Sequence, residues 1–248
     1  MTSPWAGSRN QTSPARRLPT CSALSGSCHD GGMITLHYHP GNASFAPHVL
    51  LHELGVPFEL QLVDRANNAH KSTEYLKLNP NGLIPVLVDG DLVLYETAAI
   101  CLHLADTHPL AQLMPPLGTR DRALAYKWLM WMTNTVQANL IHYFYGHRLV
   151  DEGNTDGFAQ VKAHAQAKVG QCLEQIDAHL AAQAGPWMLG TAYSVLDPYL
   201  WMMCRWTRGF SDKPAREYTH IAPFLQRMQE RPAMQRAIRT EQLSLPLV

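Results

Sequence analysis

The run Asn79-Pro80-Asn81-Gly82-Leu83-Ile84-Pro85, followed eleven residues after Pro85 by Glu96-Thr97, constrains this chain more than any other feature. An Ile-Pro bond set cis in a tight turn points the backbone N–H and C=O of Ile84 outward, free to pair with the backbone of an extended peptide. Downstream, Asp89-Gly90 is a two-residue hairpin signal between Val86-Leu87-Val88 and Leu92-Val93-Leu94. Glu96 and Thr97 therefore fall where a second strand hands over to a helix. The start of that helix offers free N–H groups and positive dipole to a carboxylate, while Glu96 pairs with an ammonium. One end of the pocket suits an α-amino acid head group, and a γ-glutamyl group fits that description.

The rest of the chain builds a frame around this turn. Ile34, Leu36 and Tyr38 alternate with Thr35, His37 and His39, which is strand periodicity. Phe45, Val49, Leu50 and Leu54 have helical spacing that stops at Gly55, and a second strand is expected over Phe58 to Val63. Strand, helix, strand in one sheet requires a parallel right-handed crossover, and the later hairpin adds antiparallel strands. A four-stranded mixed sheet of the thioredoxin-like pattern follows, closed by a helix over Thr97 to Ala105. The segment from His108-Pro109 to Pro115-Pro116 reads as a linker. Beyond it the chain is wholly helical, with long helices expected over Leu124 to Tyr145 and Phe158 to Ala184 and a buried face marked by Leu196, Tyr199, Leu200, Met203 and Cys204. Ser194 with Asp197 three residues on is a capping arrangement, with Ser194 accepting from the N–H of Asp197 and the carboxylate returning to the N–H of Ser194.

From about Met33 onward the chain resembles the cytosolic glutathione transferases, with bacterial, beta-, phi- and theta-like features and no single class assigned. The resemblance rests on the opening strand, the loop His39-Pro40-Gly41-Asn42-Ala43-Ser44, the Ile84-Pro85 turn and Glu96-Thr97, and on later signatures in Leu189-Gly190, Ser194 to Asp197 and Arg231-Pro232-Ala233-Met234. It implies an α/β thioredoxin-like domain over residues 33–108 that binds glutathione, and an all-α domain over 118–248 that takes a second substrate. It also implies glutathione as co-substrate, a cytoplasmic detoxifying role and a homodimer. His70-Lys71 resembles the segment that reaches the glycine carboxylate of glutathione, and Trp131 and Tyr143, on the first long helix, are expected to line the hydrophobic site.

Such a transferase must make a thiolate near neutral pH from a thiol whose ordinary pKa is near 8.5. A hydroxyl or amide donor at a helix N-terminus favours the anion. Ser44, Asn42 and Tyr38 are the candidate donors. Ser44 is equally an N-cap of the helix starting at Phe45, and Asn42 equally a turn residue. The loop departs from the bacterial class that carries a cysteine there, because the cysteine's position is Ala43, and that class's His-Lys pair aligns with Gln137 and Ala138. Conjugation of glutathione to small electrophilic molecules is the reading favoured. The alternatives are a non-catalytic binding protein on the same scaffold, a disulfide reductase, or a dehalogenase or ether-cleaving enzyme.

Composition limits the other possibilities. Twenty basic residues balance twenty acidic ones in 248, with no block of like charge, so nucleic acid and anionic membrane are poor partners and a small molecule is the better one. No run approaches the roughly 20 apolar residues of a membrane helix, so a soluble protein is expected. Five cysteines, Cys21, Cys28, Cys101, Cys172 and Cys204, show neither metal nor disulfide spacing. His48 and His52 have helix spacing that suits a metal, but no third ligand accompanies them, and neither does one accompany Cys28-His29-Asp30. Residues 1–32 hold six serines, three prolines, four glycines and a single acid, Asp30. That composition cannot bury a core, and its prolines break the amphipathic helix of a transit peptide. A disordered extension, or a start assigned upstream of Met33, is expected there.

Overall fold

A computed structural model describes residues 33–248, so the expectations placed on residues 1–32, including Cys21, Cys28 and the Cys28-His29-Asp30 run, lie outside the described residues. The chain opens β1 (Ile34–Tyr38), α1 (Phe45–Leu54), β2 (Phe58–Leu62), α2 (Thr73–Leu78), β3 (Val86–Asp89), β4 (Leu92–Tyr95) and α3 (Thr97–Thr107). The strands form one mixed sheet in the order β2-β1-β3-β4. β1 runs parallel to β2, which the α1 crossover makes possible, and antiparallel to β3. α1 ends at Gly55, whose φ of +67° is the left-handed conformation that favours glycine.

The hairpin differs from expectation by one residue. Asp89 pairs with Leu92, so the two-residue turn is Gly90-Asp91, with Gly90 at φ +62°. The reason is tertiary: Asp89 Oδ2 accepts from His103 Nε2 of α3 at 2.9 Å, which holds Asp89 in the strand.

The remainder is helical: α4 (Arg120–Trp131), a π-helical turn over Met132–Gln137, α5 (Ala138–Tyr145), α6 (Thr155–Ala181), α7 (Leu196–Trp206), α8 (Ile221–Glu230) and α9 (Pro232–Thr240). α4 starts earlier than apolar spacing predicts because the Thr119 side chain accepts from the N–H of Arg122 at 3.2 Å. The Asn154 side chain likewise starts α6 by accepting from Gly157 at 2.8 Å. Only half of the expected box precedes α7. Asp197 Oδ2 accepts from the Ser194 N–H at 2.7 Å, but Ser194 Oγ accepts from Leu196 rather than from Asp197. Asp197 Oδ1 also takes the N–H of Met188, so this carboxylate ties three loop groups together. Burial raises its pKa to about 7.

One continuous core joins the sheet to the helices. Leu36, Phe45, Leu50 and Ile100 are fully buried together with Leu129, Leu200 and Trp201, and the Phe45 ring lies 5.1 Å from that of Trp201. Among the described residues no helix is long and apolar enough to cross a membrane.

Candidate functional site

Strand register brings the candidate segments to one end of the sheet. Val86 lies opposite Tyr95, so Pro85 and Glu96, one step outside the pair, are neighbours. Val86 also lies opposite His37, and Tyr38 opposite Leu62, so the loop after β1 and the segment after β2 arrive at the same end. Four separate stretches of sequence thus share one edge.

The turn carrying Ile84 is held from below. The Ile84-Pro85 bond is cis. The carbonyl of Leu83 accepts from both Tyr75 Oη and Asn79 Nδ2 at 2.9 Å, and the Asn79 side chain also takes the N–H of Asn81. Gly82 has φ +60°, and a Cβ there would meet Lys71 Nζ at 2.7 Å and the His70 carbonyl at 2.8 Å. Only glycine permits both that conformation and that approach. His70-Lys71 is thereby packed against the turn, and Lys71 Nζ donates to the Asn81 carbonyl at 3.3 Å. Among the described residues nothing hydrogen-bonds to the main chain of Ile84.

Glu96 stands at the start of α3 with φ +74° and ψ 110°, a conformation in which a non-glycine residue is strained. Its exposed side chain does not cap the helix. The first intrahelical bond runs from Ile100 N–H to the Glu96 carbonyl, so the N–H groups of Thr97 and Ala98 keep their donors free. A carboxylate beside unsatisfied helix-start amides presents an ammonium acceptor and an anion site side by side.

Near the glycine-carboxylate end expected for His70-Lys71, Arg65 and Lys71 both act on His70. Burial, then Arg65 and Lys71, and more weakly His39, hold the His70 pKa below its ordinary value. His70 Nδ1 is buried with no partner among the described residues. Arg65 is braced from the helical side by Tyr145 Oη at 3.1 Å.

The three candidate thiol donors separate clearly. Ser44 is fully buried and does not cap α1; its hydroxyl donates to the His39 carbonyl and accepts from the His39 N–H, both at 3.2 Å. The expectation of an N-cap serine is corrected, because the chain folds back on itself and spends the hydroxyl on His39. Tyr38 sits on the α1 side, 6.2 Å from the His48 ring, and burial and then Glu241 push its phenol pKa up. Asn42 is half-exposed. Its Oδ1 accepts from the Ala43 N–H at 2.6 Å, which leaves Nδ2 as a donor without a partner among the described residues.

This loop is pinned from a distance. Gly41 N–H donates to Glu241 Oε2 at 2.8 Å and its carbonyl accepts from Trp206 Nε1 at 3.0 Å. Glu241 Oε1 in turn meets His48 Nδ1 at 2.7 Å, with both side chains fully buried. His48 is thus committed to Glu241. Among the described residues no group of three or more His, Cys, Asp or Glu is arranged to hold a metal ion.

A cavity of about 320 Å³ opens between α3 and the helical part. Glu96, Thr97 and Ala98 form its near wall. Thr133, Asn134, Gln137, Ala138 and Ile141 form the far wall, with Tyr199 between them. Trp131 and Tyr143, expected to line the hydrophobic site, do not border this cavity. Trp131 packs edge-on against Trp128 at 5.3 Å, and Tyr143 is buried against Phe210 at 4.6 Å. The polar residues Thr133 and Asn134 line it where aromatic residues were expected. The spacing of Asn134, Gln137 and Ile141, three and then four residues apart, was the signal that marks one helix face.

Comparison with known proteins gives the family. The family model of the glutathione S-transferase N-terminal domain matches residues 32–106, and that of the C-terminal domain matches residues 127–240. Glutathione S-transferase GstA of Escherichia coli O157:H7 is 30% identical over 211 residues, which is 84% of this chain and 98% of the relative. Glutathione S-transferase GST-4.5 of Xanthomonas campestris pv. campestris is 34% identical over 173 residues, 69% of this chain and 81% of the relative. A glutathione transferase homolog from Sulfitobacter, solved with bound glutathione, matches with a TM-score of 0.77 at 27% identity over 85% of this chain and 99% of that one. The chain belongs to the glutathione S-transferase family.

Proposed function

We propose that this protein binds glutathione at the shared sheet edge and transfers its thiolate to small electrophilic molecules. The observation that carries the reading is the pairing of an unengaged Ile84 main chain with the strained, uncapped Glu96-Thr97 helix start. The cysteinyl backbone of glutathione pairs with Ile84 beside Pro85. The γ-glutamyl ammonium meets Glu96 and its carboxylate the N–H groups of Thr97 and Ala98. His70 and Lys71, with Arg65 behind them, receive the glycine carboxylate.

Asn42 is the donor to sulfur in this reading, because its Nδ2 is free, whereas the Ser44 proton is already given to His39. Ser44 and Tyr38 then shape the loop. Residues 33–108 act as the glutathione domain and 118–248 as the domain of the second substrate, with the cavity at their meeting edge. Conjugation is favoured over disulfide exchange through a thiol of the described residues, since Ala43 lacks sulfur and Cys101, Cys172 and Cys204 are all buried. A cytoplasmic homodimer completes the reading; light scattering that returns the mass of one chain at micromolar concentration contradicts the dimer.

The test is calorimetric titration with glutathione beside a spectrophotometric conjugation assay with several electrophiles. Binding with turnover is expected. Binding without turnover of any electrophile replaces the transferase by a glutathione-binding protein, and no binding removes both.

A further inference from the structure

The strand order fixes what lies along the edge that carries the Ile84 turn. The segment with Arg65 follows β2, the Asn42 loop follows β1, Pro85 precedes β3 and Glu96 follows β4, in a sheet ordered β2-β1-β3-β4. The Asn42 loop therefore lies between Arg65 and Glu96, with neighbouring strands about 4.8 Å apart. α5 crosses the same span from the helical side. Ile141 borders the cavity with Glu96, Thr97 and Ala98, and Tyr145, one turn later on the same face, accepts from Arg65 Nη2 through its hydroxyl at 3.1 Å. A molecule held between α5 and the Asn42 loop thus has the Arg65–Tyr145 contact as its boundary on the β2 side.

That boundary is positively charged from both sides. While Arg65 reaches the Tyr145 hydroxyl, the guanidinium carbon of Arg148 lies 4.3 Å from the centre of the Tyr145 ring. Stacking holds a guanidinium in place and leaves its N–H edge available. Neither arginine has a carboxylate partner among the described residues. Asp64, next to Arg65, is taken up by the side chain and N–H of Asn67, and the exposed Asp151 and Glu152 beyond Arg148 form no ion pair. Arg122 and Arg231, by contrast, each meet a carboxylate at 2.6 Å. Two guanidiniums brought to one tyrosine repel each other, and a shared anion offsets the repulsion. The glycine carboxylate accounts for His70 and Lys71 with Arg65 behind them, which leaves Arg148 over.

Resting on the transferase reading, we infer that Arg148, with Arg65 on the other side of Tyr145, is a specificity-determining anion site for the second substrate. The substrate class is an electrophile that carries a carboxylate apart from its reacting carbon. With an organic halide of this class, the thiol proton passes to solvent, the thiolate sulfur forms its bond to carbon, and the halide leaves with the electron pair of the broken bond. The carboxylate is unchanged and serves to hold the molecule. Because Arg148 meets it equally before and during bond formation, its contribution falls on KM and not on kcat.

The test uses the full chain as wild type, Arg148→Gln and Tyr145→Phe, with benzyl chloride and 4-(chloromethyl)benzoate, which share one reacting carbon. kcat and KM are measured for both at low and high salt, and glutathione affinity by calorimetry. Wild type is expected to favour the carboxylate by about 10-fold in kcat/KM at low salt, and the preference shrinks as salt screens it. Arg148→Gln raises KM for the carboxylate by about 5- to 10-fold with kcat held, and changes benzyl chloride less than about 2-fold. Tyr145→Phe, which frees Arg65, lowers the preference by a smaller factor. A wild type that conjugates benzyl chloride with no preference for the carboxylate overturns the inference alone, as do equal changes on both compounds in Arg148→Gln. A loss of glutathione affinity in Arg148→Gln overturns it too, and assigns Arg148 to the glycine carboxylate. A wild type that binds glutathione and conjugates neither compound also removes the inference, whereas the transferase reading falls only if every other electrophile fails as well.

Discussion

Removing the Asn42 amide should raise the pKa of bound glutathione thiol, and removing the Ser44 hydroxyl should not. A hydrogen bond to a charged group contributes about 1.5–3 kcal/mol. At about 1.4 kcal/mol per pKa unit, losing the Nδ2 donor in Asn42→Ala raises the thiol pKa by about one to two units. From a bound pKa near 7 that rise lowers the thiolate fraction, and with it turnover at pH 7, by about 5- to 50-fold, and turnover recovers as pH is raised. Ser44→Ala acts on the fold instead. It strips the half-buried N–H and C=O of His39 of their hydroxyl partner, at a cost of about 1–3 kcal/mol. The loop itself persists, because Asn42 N–H still donates to the His39 carbonyl at 3.1 Å and Phe45 N–H to the Asn42 carbonyl at 3.0 Å. The assays are a pH titration of the thiolate absorbance of bound glutathione and a urea denaturation series on both variants. A pH profile that moves in Ser44→Ala and stays fixed in Asn42→Ala refutes the assignment, because Ser44 would then have exchanged His39 for sulfur.

Three other outcomes are expected. Glu241→Ala leaves the half-buried Gly41 N–H and the buried His48 Nδ1 without their acceptor, which lowers stability by about 2–6 kcal/mol in denaturant unfolding; a change under about 1 kcal/mol shows that the loop is held elsewhere. Burial, then the neighbouring His48 and Arg236, hold the His52 pKa at about 4, below its ordinary 6.5. Its share of stability is therefore complete above pH 6.5 and lost as pH falls from 6.5 towards 4, so His52→Leu should show a smaller drop in urea midpoint between pH 7 and 5 than wild type. Glu96→Ala should abolish retention on immobilised glutathione while circular dichroism stays unchanged, since the exposed carboxylate supports no core packing; full retention moves the ammonium site elsewhere.

What was legible in the sequence is what local chemistry decides. Alternation marked β1, Gly55 marked the end of α1, and the proline turn and Glu96-Thr97 are each readable within a few residues. Their convergence also follows from sequence, once the hairpin is recognised, because pairing Val86 with Tyr95 leaves Pro85 beside Glu96. Ser44 was not legible in the same way. A serine before an apolar run reads as a cap, and only the tertiary pinning of Gly41 by Glu241 and Trp206, 200 and 165 residues away, lets the chain turn its hydroxyl back to His39.

The far wall failed for a different physical reason. Trp131 and Tyr143 read as lining because they are aromatic residues of the long helix expected over Leu124 to Tyr145, although 12 residues place them on different faces at 3.6 residues per turn. The π turn at Met132–Gln137 closes i to i+5 bonds, so every residue beyond it is rotated relative to the wheel drawn from the residues before it. Trp131 precedes the break and packs on Trp128, while Tyr143 follows it and is carried round to Phe210. The side chains that do reach the cavity come from the break itself and the turn after it, and Gln137 is held there by Tyr199 of α7, 62 residues on. No local rule links those two positions. The near wall of the cavity is thus written in short motifs, whereas the far wall depends on a helix irregularity and one long-range hydrogen bond.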